Sequence, residues 1–270
     1  MSRLRVVGDV FRNGPGNWRL WVLHTIANPL LFVLFAGWLL IPEGTGWQLG
    51  LSLAGVVVLA TAALAVHSVT LGYLVLQDRS APRPLVAAFT RALRTLVALA
   101  VCAAAAYLLW SSANLLDVYR ITFPAYVRAA MPAFVRRSVS GSEIEDAYAA
   151  VTFGVRWIFW PGLLLPFVAA VASCGFAGFV RGGSALWRGV RSGFYWVVIA
   201  AAAFAGVILA PALVTWHPPA REASFAGDSI SMAIRFSLAF FIALASWLTV
   251  CSMASAELNA AVDTRGQTTR

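Results

Sequence analysis

Residues 44–77 read GTGWQLGLSLAGVVVLATAALAVHSVTLGYLVLQ, 34 consecutive positions without a charged side chain. A helix rising about 1.5 Å per residue crosses about 30 Å of hydrocarbon in about 20 residues. The stretch is long enough for one span and too short for two spans plus a turn. Five more charge-free stretches follow the same reading: 20–42, 95–116, 157–180, 192–220 and 236–256.

The whole chain of 270 residues is 60% hydrophobic and 11% charged, whereas about a quarter of a soluble domain is charged. The expected fold class is therefore all-α: a polytopic membrane protein with six transmembrane helices arranged as three helical hairpins, accompanied by short interfacial helices. We read residues 1–270 as a single integral membrane domain. Spans are expected at about 19–41, 48–76, 92–115, 154–180, 190–214 and 230–256, with an external interfacial segment over 117–152. The first apolar run follows Arg3, Arg5 and Arg12 as a signal peptide would. It is too long for one and has Trp38 near its end in place of small residues, so it reads as a retained span.

The net charge of +9 comes from 20 Arg and 11 acids with no Lys. Its distribution argues for topology and against nucleic acid. Four arginines lie in 1–19, four in 77–94, three in 181–191 and two in 257–270. The short connection 42–47 has none, while 117–156 carries five arginines beside four acids. Short loops set orientation best, so both termini are expected on the cytoplasmic face of an inner membrane. Arginine without lysine also fits a GC-rich bacterial genome.

An aromatic followed by two arginines introduces each outgoing span: Phe11, Arg12, Arg19; Phe89, Arg91, Arg94; Trp187, Arg188, Arg191. These six arginines can lay their stems along the acyl boundary and present guanidinium groups to anionic headgroups. Ordinary positive-inside bias produces the same pattern. In plan, lead-in elements followed by hairpin spans, the chain resembles bacterial multi-pass proteins with interfacial elbow helices, including the membrane domain attached to glycerophosphodiester phosphodiesterases. The likeness transfers no residue.

Small residues at four-residue spacing (Ala98, Cys102, Ala106; Ala170, Cys174, Gly178; Ala202, Gly206, Ala210) predict close packing of the third, fourth and fifth spans at the centre of the bundle. Pro29, Pro161, Pro166 and Pro211 predict kinks. In the external segment, Ser142 and Glu145 have the spacing of a capping box.

Ionisable groups at membrane depth are costly and draw a functional question. His24 and Asn28 in the first span, with His67 and Thr70 in the second, form the candidate polar site. Depth counting puts Asn28 level with His67 and predicts a hydrogen bond between them; His24 comes level with Thr70 or Tyr73. Such a bond either glues a hairpin or marks a proton-sensitive site. Arg235, just inside the sixth span, has Asp228 and Glu222 near it for pairing.

Catalytic patterns for zinc, nucleophilic serine or phosphate-binding loops are missing, and no acid lies in a charge-free stretch. His217 beside two prolines is a poor ligand, and Cys102, Cys174 and Cys251 read as packing residues. We expect no catalytic residue, metal or cofactor. The expected function is a non-enzymatic bundle organising lipid or a partner protein, itself or another membrane protein; a small permease using the polar site is the alternative.

Overall fold

The computed structural model describes residues 3–42, 44–77, 84–216 and 225–268. Every element among them is helical: α1 (Arg3–Asn13), α2 (Trp18–Leu39), α3 (Gly46–Gln77), α4 (Pro84–Val118), α5 (Thr122–Ala130), α6 (Ala133–Ser138), α7 (Gly141–Phe153), α8 (Trp160–Cys174), α9 (Ala177–Arg191), α10 (Gly193–Ala203), α11 (Ala210–Thr215) and α12 (Phe225–Thr268). π-turns at Gly154–Phe159 and Phe204–Leu209 join α7 to α8 and α10 to α11. Six helical stretches are long and apolar enough to cross a membrane. Six crossings return the chain to the face it started from, and the two faces are called here the terminal side and the far side.

The two π-turns have a common cause. A proline ring collides with the carbonyl four residues earlier. Pro161 and Pro211 each lie just after a π-turn, and widening the turn moves that carbonyl away. Pro29 and Pro166 stay inside their helices.

The fourth span departs from the expected 154–180. Its helix stops at Cys174, and Gly175 takes φ +60, a left-handed conformation that glycine adopts without steric cost. The chain turns back as α9, a separate amphipathic helix lying against α8. Gly178 is therefore not the third member of the fourth span's small-residue stripe. It is the point where α9 approaches the α8 backbone. The sixth helix also runs past 256 to Thr268, and the third begins at Pro84, so that its lead-in and its span are one helix.

The centre of the bundle differs from expectation as well. α8 packs against α3, α4, α9 and α12, so the second, third, fourth and sixth spans form it, and the fifth lies to one side, against α12, α9 and the first π-turn. Residues 68–76 of α3, 169–173 of α8 and 248–255 of α12 are buried at every position. A helix covered on all sides is a core helix.

That core occupies only the terminal half. Toward the far side, large apolar side chains from Ile26 to Leu40, from Leu49 to Val58 and from Ile230 to Phe241 are mostly exposed. There each hairpin is held by its own clip. Trp38 Nε1 donates to Ser52 O at 2.9 Å and to its Oγ at 3.1 Å, joining α2 to α3. Arg156, on the first π-turn, donates to Asp117 Oδ2 at 2.6 Å and Asn114 Oδ1 at 3.1 Å on α4. Arg235 of α12 donates to the carbonyls of Trp216 and, at 3.4 Å, Val214 at the end of α11. Carbonyls at a helix C-terminus carry partial negative charge and suit a cation. The pairing of Arg235 with Asp228 or Glu222 is thus replaced by backbone bonds; Glu222 and His217 lie outside the described residues. Each of the three hairpins thus carries a clip of its own, and the first π-turn also touches α10 of the last hairpin.

In residues 117–152 the capping box is Ser140 with Glu143, not Ser142 with Glu145: Glu143 N donates to Ser140 Oγ at 3.2 Å, and Ser140 N to Glu143 Oε2 at 2.7 Å. Either pair has the right spacing. Val139, just before Ser140, is extended and ends the preceding helix there.

Candidate functional site

The polar residues of the first two spans meet inside the packed half, where α12 joins them. His24 is fully buried on α2. Its Nε2 lies 2.9 Å from Thr70 Oγ1 on α3. Thr70 Oγ1 in turn donates to Val66 O at 3.0 Å, one turn back along its own helix. A hydroxyl has one hydrogen, so Thr70 must accept from His24. That fixes the tautomer: the hydrogen sits on Nε2, and Nδ1 is a lone pair with no hydrogen-bond partner.

The expected bond between Asn28 and His67 does not form. Asn28 is half-buried, one turn along the same helix from His24. His67 points toward α12: its ring centroid lies 5.9 Å from that of His24 and 5.0 Å from that of Trp247, the latter edge-on at 78°. His67 Nδ1, Trp247 Nε1 and Ser68 Oγ are buried without hydrogen-bond partners. Depth counting had brought His24 level with Thr70; the helix rotation then decided which pair faces inward.

Trp247 was missed in the sequence. Its signal was its position: most tryptophans of this chain flank the apolar stretches, whereas this one lies in the middle of 236–256. Around the cluster, Leu20, Leu71, Leu244 and Leu248 are buried. The arrangement can fix the rotation of α2 on α3, because turning α2 would strand a buried imidazole donor in hydrocarbon. A double-mutant cycle of His24→Leu with Thr70→Val should give a coupling of about 1 kcal/mol in reversible unfolding from mixed micelles. A coupling near zero would mean that the bond does not form in the membrane.

A second polar knot lies at the terminal side. Asn17, the N-cap of α2, accepts from Arg19 N at 3.2 Å and donates to Tyr73 Oη at 3.1 Å and Gln77 Oε1 at 2.9 Å. It ties the α1–α2 elbow to the end of α3. An Asn immediately before an apolar helix is a readable capping signal, but its partners, 56 and 60 residues away, are not.

Of the six arginines assigned to headgroups, Arg12 is exposed and lies 3.2 Å from Asp9. Arg19 stands over the Trp18 ring at 5.8 Å, and Arg191 over Trp187 at 4.2 Å. Arg91 is half-buried and Arg94 exposed. Arg188 turns inward and donates to Ala260 O at 2.5 Å, fastening α9 to α12. Among the described residues no three His, Cys, Asp or Glu side chains gather closely enough to hold a metal ion. Comparison with protein-family models, curated proteins and solved structures finds no match to this chain.

Proposed function

We propose that this multi-pass membrane protein is a non-enzymatic bundle that organises lipid, its terminal half acting as a rigid hub and its far half as three separate legs. The observation that carries the reading is the confinement of burial to one half. Leu248 of α12 is 0% exposed, whereas Leu238, on the same helix, is 48% exposed. Helices in a bilayer lose little by facing lipid tails, so legs that do not pack on one another are filled by acyl chains. An apolar pocket of about 250 Å³ between α8, α10 and α12, bordered by Pro161, Ile199, Gly206 and Trp247, supports the same idea. With arginines clustered at the terminal side, the reading places both termini in the cytoplasm of a bacterial cell, with the bundle in its inner membrane.

A permease would need an open polar route past His67. Thr70, Leu71, Leu244 and Leu248 are buried around that level, which favours the bundle. The test is to place the protein in nanodiscs containing lipids brominated on the upper acyl chain, at the depth of Trp38 near the end of α2, and to follow tryptophan quenching. Trp38, clipped between α2 and α3 on the far side, is expected to be strongly quenched. Weak quenching there, together with flux of a solute in proteoliposomes that His67→Ala abolishes, would replace the bundle with a transporter.

A further inference from the structure

At the terminal side the α1–α2 elbow and the end of α3 enclose a depression of about 280 Å³ lined by Arg12, Asn17, Trp18, Arg19, Tyr73 and Gln77, with Gly16. The hydrogen-bond network sets its polarity. Asn17 Oδ1 accepts from the Arg19 backbone, so the other arm of that amide must be Nδ2, whose two hydrogens go to Tyr73 Oη and Gln77 Oε1. Tyr73 thereby serves as acceptor through its oxygen and keeps its own hydrogen to donate. Gln77 spends its carbonyl oxygen and keeps its NH₂. Asn17 and Tyr73 are 8% and 2% exposed, so this arrangement is held in place by packing. The depression therefore presents donors, a hydroxyl and an amide, beside two guanidinium groups, and no carboxylate among the described residues lines it. Asp9, half-buried and not among the lining residues, lies 3.2 Å from Arg12. The first turn of α2 adds the positive end of its dipole.

We propose that this elbow binds a phosphate group, with Arg12 and Arg19 supplying charge and Tyr73 and Gln77 supplying neutral donors positioned by Asn17. The proposal deepens the lipid-organising reading and rests on it for the expected source, a phospholipid headgroup. Trp18, 68% exposed at the rim, has the place of an interfacial anchor beside such a headgroup. A free phosphate ion has the same chemistry and is distinguished by the test.

The experiment uses the full chain in nanodiscs of phosphatidylcholine doped with phosphatidic acid, and counts the lipids retained by native mass spectrometry. The intact protein should retain phosphatidic acid in preference to phosphatidylcholine. Arg12→Gln and Arg19→Gln should each weaken that preference about tenfold, as loss of one charge-assisted hydrogen bond implies. Gln77→Glu, which introduces an acceptor, should weaken it at least as much. Arg137→Gln, at an exposed arginine of α6 that is neither in the depression nor among the six assigned to headgroups, should leave it unchanged. Added inorganic phosphate that displaces the lipid identifies the bare anion as sufficient; failure to displace it identifies the lipid as the ligand, and both uphold a phosphate site. The site is overturned if Arg12→Gln and Arg19→Gln keep the original preference, or if Arg137→Gln lowers it equally. In those cases continued retention of phosphatidylcholine would leave the broader lipid reading standing; retention of no lipid at all would remove both.

Discussion

Gly178→Val should be among the most damaging single substitutions, lowering stability by about 3 kcal/mol through overpacking against main chain that cannot move aside. A Cβ at Gly178 would strike the Ala170 carbonyl and lie 2.5 Å from Val171 Cα. One turn further on, a Cβ at Gly182 would lie 3.1 Å from Phe167 Cα. These two glycines let α9 lie close along α8 after the reversal at Gly175, and the position of α9 in turn delivers Arg188 to the Ala260 carbonyl. Gly183, on the open face of the same helix with nothing within 4 Å, is the control. Gly183→Ala should stabilise by about 0.5–1 kcal/mol, because alanine loses less backbone freedom in a helix. Unfolding midpoints in mixed micelles would measure both. If Gly178→Val behaved like Gly183→Ala, α9 would not be docked on α8.

The second large effect contrasts two leucines of one helix. Leu248→Ala should cost about 3 kcal/mol, since a fully buried leucine leaves a cavity that its neighbours only partly fill. Leu238→Ala should cost close to nothing, because lipid tails fill the space that a lipid-facing leucine vacates. Thermal unfolding of the two variants in the same detergent reads the difference directly. Equal losses would mean that the legs pack on one another along their full length and that the hub is not confined to the terminal half.

Much of this architecture could be read from residue order. All six spans were marked by where charges stop, because a charge inside hydrocarbon is expensive enough to leave gaps in the sequence. The reversal at Gly175 was hidden for the same reason. Phe176, Ala177, Gly178, Phe179 and Val180 continue the apolar run, so no charge signals the turn. What marked it was a change of pattern, with Gly178, Gly182, Ala185 and Gly189 forming the buried face of a new helix. The candidate polar site was legible as a set of residues and illegible as a set of pairs. Depth along two antiparallel spans follows from counting, whereas rotation depends on packing against α12, more than 170 positions later. Arg156 illustrates the same limit. It precedes the charge-free stretch 157–180 and looks like a flank, yet its partner Asp117 is 39 residues away, and a π-turn aims the side chain.

The hub-and-legs arrangement is tested most directly by the accessibility of α12 to molecular oxygen dissolved in the bilayer. Single nitroxide labels would be placed in turn along residues 229–255 of a chain whose native cysteines have been replaced. The arrangement predicts that all eight positions from Leu248 to Ser255 are shielded. From Ser229 to Phe241 only Ser231, Arg235, Ala239 and Phe240 should be protected, with the remaining positions open to lipid. A single helical period of shielding running unchanged through both segments would contradict it, because α12 would then lie at the surface of a uniformly packed bundle.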